Sequence, residues 1–332
     1  MTDPDLTTGP GPTTGPDLTT EPDLTTADLT TADLTTEPDL TTADLTTDTG
    51  FLGLVADHEP GRFSFTVENH LSRQDGRLYG GTAIAVSIAV AEAISERAAL
   101  WVTTQFVSTA PGGARVSVLG EVLAPGRRTN QFRVTATDDE GAVMFASLGA
   151  TGHHRPDGLT GSFDRRPEVA RPEESADSGG PFVAMLRNAG VTEIPELPRD
   201  VGFSSVVEFR EPEVRDHPDA GPGRMCMWCR RRDRVPLTPA MVAFVADMVP
   251  LSIAHGAGVV AGGVSLDNTV RFAATEPSEW VLLDLRGHFA SGGYGYGTAH
   301  LWSESGQLLA TASQTATMFE FDSSASPWER RR

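Results

Sequence analysis

The sequence predicts an α+β chain in which one unit, a buried helix with antiparallel strands curled around it, occurs twice. Three observations carry that prediction. Gly80–Ala98 is apolar nearly all the way round until Glu92, as a helix enclosed on most sides must be. Four strand-like runs with short turns between them follow it, which suits an antiparallel sheet laid over the helix. A similar order then recurs between Phe203 and Phe321.

The first fifty residues stand apart. The tetrad DLTT begins at Asp5, Asp17, Asp23, Asp28, Asp33, Asp39 and Asp44. Its period fits neither helix nor strand, and one leucine per repeat builds no core, so residues 1–50 read as a disordered acidic tail. A repeated docking motif is the sharper alternative. The net charge is −19, and the tail holds eleven acids and no base. That leaves 34 acids against 26 bases, all of them arginine, for residues 51–332. This balance argues against nucleic acid or an anionic membrane as partner. Two cysteines, Cys226 and Cys229, imply no disulfide framework. The acidic start is the reverse of a secretory signal, and the run Thr82–Ala91 is about half the length of a membrane helix. A soluble cytoplasmic protein is expected.

Order is expected from Phe51. RFSFTVEN from Arg62 alternates as a strand, and the first helix follows. Strands are expected at LWVTTQFVST, ARVSVLGEVLAP, NQFRVTATDD and AVMFASLGATG. Residues 156–200, rich in Pro, Gly and acids, read as a linker with a short helix at PFVAMLRNAG. FSSVVEFREP and RMCMWCRRRD then read as strands, and Leu237–Ile253 as one helix. SLDNTVRF, WVLLDLRGHFA, GYGTAHLWSE and LLATASQTATMFEF read as further strands, with a frayed end at residues 323–332. Strict alternation in SLDNTVRF places Ser265, Asp267, Thr269 and Arg271 on one face and Leu266, Asn268, Val270 and Phe272 on the other.

The halves overlay. GAVMFASLGAT matches GQLLATASQTAT, which sets Gly149 opposite Gln314. WVTTQFVSTAP matches LDNTVRFAATEP, which sets Ala99 opposite Ser265. The first helix has no acid from Gly80 to Ala91, where the second has Asp247. Three polar residues, Asp247, Ser265 and Gln314, are thus present in half two alone. They are expected to meet around one water, giving one active and one structural half.

SLDNTVRF and the run from Glu279 to Ala316 resemble the C-terminal half of the type II acyl-CoA thioesterases, and LYGGTAIA with the strands after it resembles their N-terminal half. The resemblance implies a double hot dog: two long helices, each wrapped by one lobe of a continuous antiparallel sheet. Residues 51–155 would form the first hot dog and residues 201–322 the second. It implies that Asp247, Ser265 and Gln314 hold a hydrolytic water, that acyl-CoA is the substrate, and that coenzyme A is a leaving group rather than a cofactor. No metal or cofactor is implied, and homo-oligomerisation is left open.

These residue types suit thioester hydrolysis, which needs an activated water, an acceptor for its proton and donors for the oxyanion. Asp247 can take the proton, while Ser265 and Gln314 can orient the water. The leaving thiolate is a weak base and needs no strong acid. Backbone amides at Thr238–Ala240 or at Gly80-Gly81 are the two candidate oxyanion donors. Two other classes are weighed: a hot-dog hydratase using a histidine, for which His70 and His255 are nearest, and a non-catalytic acyl-CoA binder recruiting partners through the tail. Cys226 and Cys229 face opposite ways in a strand, which disfavours metal or redox use. Arg127-Arg128 and Arg230–Arg232 are read as solvent-facing, or as contacts to a coenzyme A phosphate.

Overall fold

A computed structural model describes residues 45–321, apart from 189, 192–193, 195–198 and 217–220. Expectations for residues 1–44 and 322–332 lie outside the described residues.

The first half consists of Arg62–Thr66 (β1), Gly80–Ser95 (α1), Ala98–Phe106 (β2), Arg115–Ala124 (β3), Thr129–Thr137 (β4) and Val143–Gly152 (β5). The second consists of Pro181–Asn188 (α2), Val207–Glu211 (β6), Arg224–Arg231 (β7), Pro239–Val245 (α3), Val249–Ala257 (α4), Ala261–Phe272 (β8), Val281–Ser291 (β9), Tyr294–Ser303 (β10) and Leu308–Glu320 (β11). One thirteen-stranded sheet runs Val55–Ala56, β1, β3, β4, β5, β2, β8, β11, β10, β9, β7, β6, Ala176–Asp177. All of its pairings are antiparallel. This is the double hot dog: Gly81–Ala91 of α1 is fully buried under one lobe, and most of α3 and α4 under the other.

The lobes meet at β2 and β8, where Thr103 pairs with Thr269 and their hydroxyls lie 2.9 Å apart. The overlay of the two sequences equates these same two threonines. A pseudo-twofold axis therefore passes between them, and the register obeys it. Val102 pairs with Gly149 as Asn268 pairs with Gln314. Each lobe also carries a β-bulge at the same place, opposite its outer neighbour: Leu100 in β2 and Leu266 in β8.

The bulge corrects the alternation read from the sequence. The extra residue puts Ser265 on the inner face together with Asn268 and Val270, not with Asp267 and Arg271. A second correction concerns the helix expected over Leu237–Ile253. It begins as expected, with Thr238 accepting from the amide of Met241 and Pro239 in the first turn. It then breaks at Ala246–Met248, because Pro250 has no N–H to give the Ala246 carbonyl. Pro239–Ala257 is, by length and apolarity alone, enough to cross a membrane, but 67% of that window is buried inside the molecule. A third correction is local: FSSVVEF opens with a 3-10 turn at Gly202–Ser205 before β6 starts.

The segment expected to be a linker is more than a tether. Glu168–Val169 pairs with Val214–Asp216, and Ala176–Asp177 extends the main sheet. The Trp228 indole donates to the Ala170 carbonyl (2.9 Å), and Arg166 lies over the same ring. Order also starts upstream of Phe51. Thr47 caps a turn of helix at Asp48–Phe51, and Arg231 donates to the Leu45 carbonyl (2.8 Å).

Candidate active site

Asp247 stands in the break between α3 and α4. Its peptide carbonyl accepts a hydrogen bond from the Tyr79 hydroxyl (3.3 Å). Its side chain is surrounded by protein but keeps some contact with solvent. Gln314, from the middle of β11, donates through Nε2 to Asp247 Oδ1 (2.5 Å) and to Ser265 Oγ (2.6 Å). Ser265, set inward by the bulge, donates to the same carboxyl oxygen (3.3 Å). The three side chains singled out in the sequence thus form one bonded cluster.

Sequence reasoning missed a fourth. Asn268 is 0% exposed, and it faces the Asp247 carboxyl without reaching hydrogen-bond geometry. Neither its Nδ2 nor its Oδ1 has a partner among the described residues, and Gln314 Oε1 has none either. Buried amides are rarely left so, and these three orphaned polar atoms leave room for a further hydrogen-bonding partner beside the carboxyl. The signal was present in the sequence as an amide amid β-branched residues, but strict alternation turned it away from Ser265.

Burial raises the Asp247 pKa to about 6. The amides of Gln314 and Asn268, the Ser265 hydroxyl and the more distant Arg73 guanidinium pull it the other way, and burial wins. A carboxyl of this pKa is charged at neutral pH yet holds a proton better than an ordinary aspartate, which suits a general base.

The first turn of α1 closes over the carboxyl. A Cβ built on Gly80 would lie 2.3 Å from Asp247 Oδ2, and one on Gly81 would lie 2.0 Å from the Phe244 carbonyl. Only glycine allows that approach, and it brings the orphan amides of a helix start close to the carboxyl. The other helix start considered, at Thr238–Ala240, is occupied. Thr238 caps it and donates to the Asp48 carboxylate (2.6 Å), which already answers the helix dipole.

Residues 67–152 match the model of the acyl-CoA thioesterase N-terminal domain, and residues 161–318 that of the C-terminal domain. The chain belongs to the acyl-CoA thioesterase family. It is a thioester hydrolase. Solved structures agree on the fold. A protein of Novosphingobium aromaticivorans with a provisional thioesterase assignment is 29% identical, with TM-score 0.67, over 80% of this chain and 97% of that one. A hot-dog protein of unknown function from Alicyclobacillus acidocaldarius is 19% identical (TM-score 0.66, 83% and 98% covered). An acyl-CoA thioesterase II, TesB2, from Mycobacterium marinum is 17% identical (TM-score 0.61, 82% and 98% covered). No curated protein sequence matches the chain.

The first half of the thioesterase lacks counterparts of these side chains. Where half two has Ser265, Asn268 and Gln314, half one has Ala99, Val102 and Gly149. Phe132 fills the space left by the missing amide: a Cβ on Gly149 would lie 2.4 Å from its ring. Across from Gln314 the counterpart of Phe132 is Gly297. Large and small residues have thus changed strands between the lobes.

The remaining candidates have other roles. His70 Nε2 is engaged by the Phe51 carbonyl (2.8 Å), and burial lowers its pKa. Cys226 and Cys229 lie in separate buried clusters on opposite faces of β7, and burial raises both thiols, Cys226 to about 12. Arg230 binds Glu208 and Glu279 and covers the Trp280 ring, and Arg231 binds Asp233.

Proposed function

We propose that this thioesterase hydrolyses a fatty or related acyl-CoA to the free acid and coenzyme A, with Asp247 as general base. The observation that carries the reading is the buried carboxyl of Asp247, ringed by Ser265, Gln314 and the orphaned Asn268 amide, with a helix start against its second oxygen. A water held by the Ser265 and Gln314 side chains gives its proton to Asp247 as its oxygen attacks the thioester carbon. The amides of Gly80 and Gly81 receive the oxyanion. The carbonyl re-forms, the C–S bond breaks, and the proton on Asp247 passes to the departing sulfur. Each atom that leaves is accounted for without an external acid.

The test is release of free thiol from a panel of acyl-CoAs, with the product acid weighed by mass spectrometry. Asp247→Asn is expected to lose about 10²–10⁴-fold in turnover with the fold intact. Ser265→Ala and Gln314→Ala should each lose activity, and the double variant should be little worse than the worse single, since both act on one water. A well-folded Asp247→Asn enzyme turning over at the wild-type rate would move the site elsewhere.

A further inference from the structure

Two parts have to stand at a fixed spacing in the proposed reaction: the carboxyl of Asp247 and the helix start that faces it. One side chain ties them together. Tyr79 is the residue before α1, in the N-cap position, and its hydroxyl donates to the peptide carbonyl of Asp247 (3.3 Å). The break between α3 and α4 leaves that carbonyl without a helical partner. In an unbroken helix it would accept from the Leu251 amide, but Leu251 donates to the Met248 carbonyl instead (3.1 Å). A buried carbonyl needs a donor, and the phenol supplies one.

The ring is held on every side that matters. Phe203 stacks on it at 4.3 Å, Phe244 of α3 meets it edge-on at 5.1 Å, and a Cβ on Gly81 would lie 2.4 Å from it. The Tyr79 backbone is fixed as well: its amide donates to the Leu71 carbonyl (3.0 Å), and its own carbonyl accepts from Thr82 (3.0 Å). What this residue leaves undone is equally telling. At the start of α3 the same position belongs to Thr238, whose hydroxyl caps the helix by accepting from the Met241 amide. A phenol that reaches across to Asp247 cannot cap, and the start of α1 receives no side-chain hydrogen bond. The amides of Gly80 and Gly81 make no hydrogen bond to another described residue. We infer that Tyr79 is a positioning residue, a strut from the first half that sets the spacing between Asp247 and the uncapped amides of α1.

This role rests on the proposed function, in which Asp247 is the base. Tyr79→Phe keeps the ring and its packing and removes the hydroxyl alone. With acyl-CoA as substrate it is expected to lose about tenfold in kcat while KM stays within about twofold of wild type, because orientation of the base counts in the transition state and not in substrate binding. The rising limb of its pH profile should move to lower pH. Without the tie the break opens to water, and burial then raises the Asp247 carboxyl less. Carbon-13 NMR on protein labelled at the aspartate carboxyls reads the same displacement without turnover, with Asp247→Asn identifying the resonance. A merely structural role would lower the melting temperature and leave both the limb and the resonance in place. A kcat within about twofold of wild type, or an unaltered titration of Asp247, would overturn the assignment. Absence of thiol release from every acyl-CoA by the wild-type enzyme would count against the proposed function alone, and the NMR titration would then decide whether Tyr79 holds Asp247.

Discussion

At the residue scale, the pKa of Asp247 makes two predictions that point in opposite directions. If the carboxylate is the base, turnover should rise with pH and level off above an apparent pKa of about 6, and Asp247→Asn should abolish that limb. Stability should run the other way. Because the folded pKa lies above the unfolded one, the native state loses stability as pH climbs from about 4 to about 6, and the loss stays constant above that. Asn at this position removes a cost of up to about 3 kcal/mol. Thermal melts should therefore find Asp247→Asn at least as stable as wild type at pH 8, with the gap closing near pH 4.5. Asn268→Val, which installs the residue of the inert half, should behave likewise. It should gain about 1–3 kcal/mol by removing an unpaired amide and lose about 10²-fold in turnover. A variant that gains stability and keeps its rate would leave Asn268 no part in the chemistry. That Asp247, Ser265 and Gln314 meet was legible in the contrast between the halves: the matching strand positions hold Ala99 and Gly149, and the first helix has no acid from Gly80 to Ala91. Asn268 passed unnoticed although Val102 stands opposite it, since its apparent face was wrong.

At the element scale, what the sequence hid was phase. A β-bulge has no composition of its own, and Leu266 looks like any strand residue, yet it decides which side chains share a face with Ser265. Deleting Leu266 should remove the extra residue and leave Ser265 two residues from Asn268, still on the inner face, so turnover should stay within about tenfold of wild type. Deleting Leu100, the counterpart in β2, should cost a comparable drop in melting temperature with turnover nearly unchanged. Loss of about 10²-fold in the Leu266 deletion alone would show that the kink of the bulge, and not only the face it selects, holds Ser265 in place. The break in the second helix was open to reading, since Pro250 lies inside the apolar run. Its value to the site was not: an interrupted turn frees the Asp247 carbonyl for Tyr79 and turns the carboxyl toward the start of α1.

At the scale of the whole molecule, both lobes draw on one buried cluster that runs from Phe51 through α1 and α3 to Ala312. The duplication could be read from the sequence; the shared core could not, because contact between distant strands leaves no local periodicity. It bears on proteolysis. Leu159 and Phe163 are 98% and 90% exposed, whereas Val169, Ala170, Ala184 and Leu186 are buried. Brief trypsin treatment should cut between Arg155 and Arg166 and spare the rest of the connecting segment, with the pieces still eluting together on gel filtration. Pieces that separate as folded units would contradict a sheet continuous through β2 and β8. The Phe132–Gly149 exchange has a kinetic meaning as well. A symmetric pair of lobes would offer two reaction centres able to influence each other, but one of these is filled with a phenyl ring. Each chain should then titrate with a single equivalent of a tight inhibitor, and its saturation curve within the chain should be a plain hyperbola, with any sigmoidal departure traceable to contacts between chains.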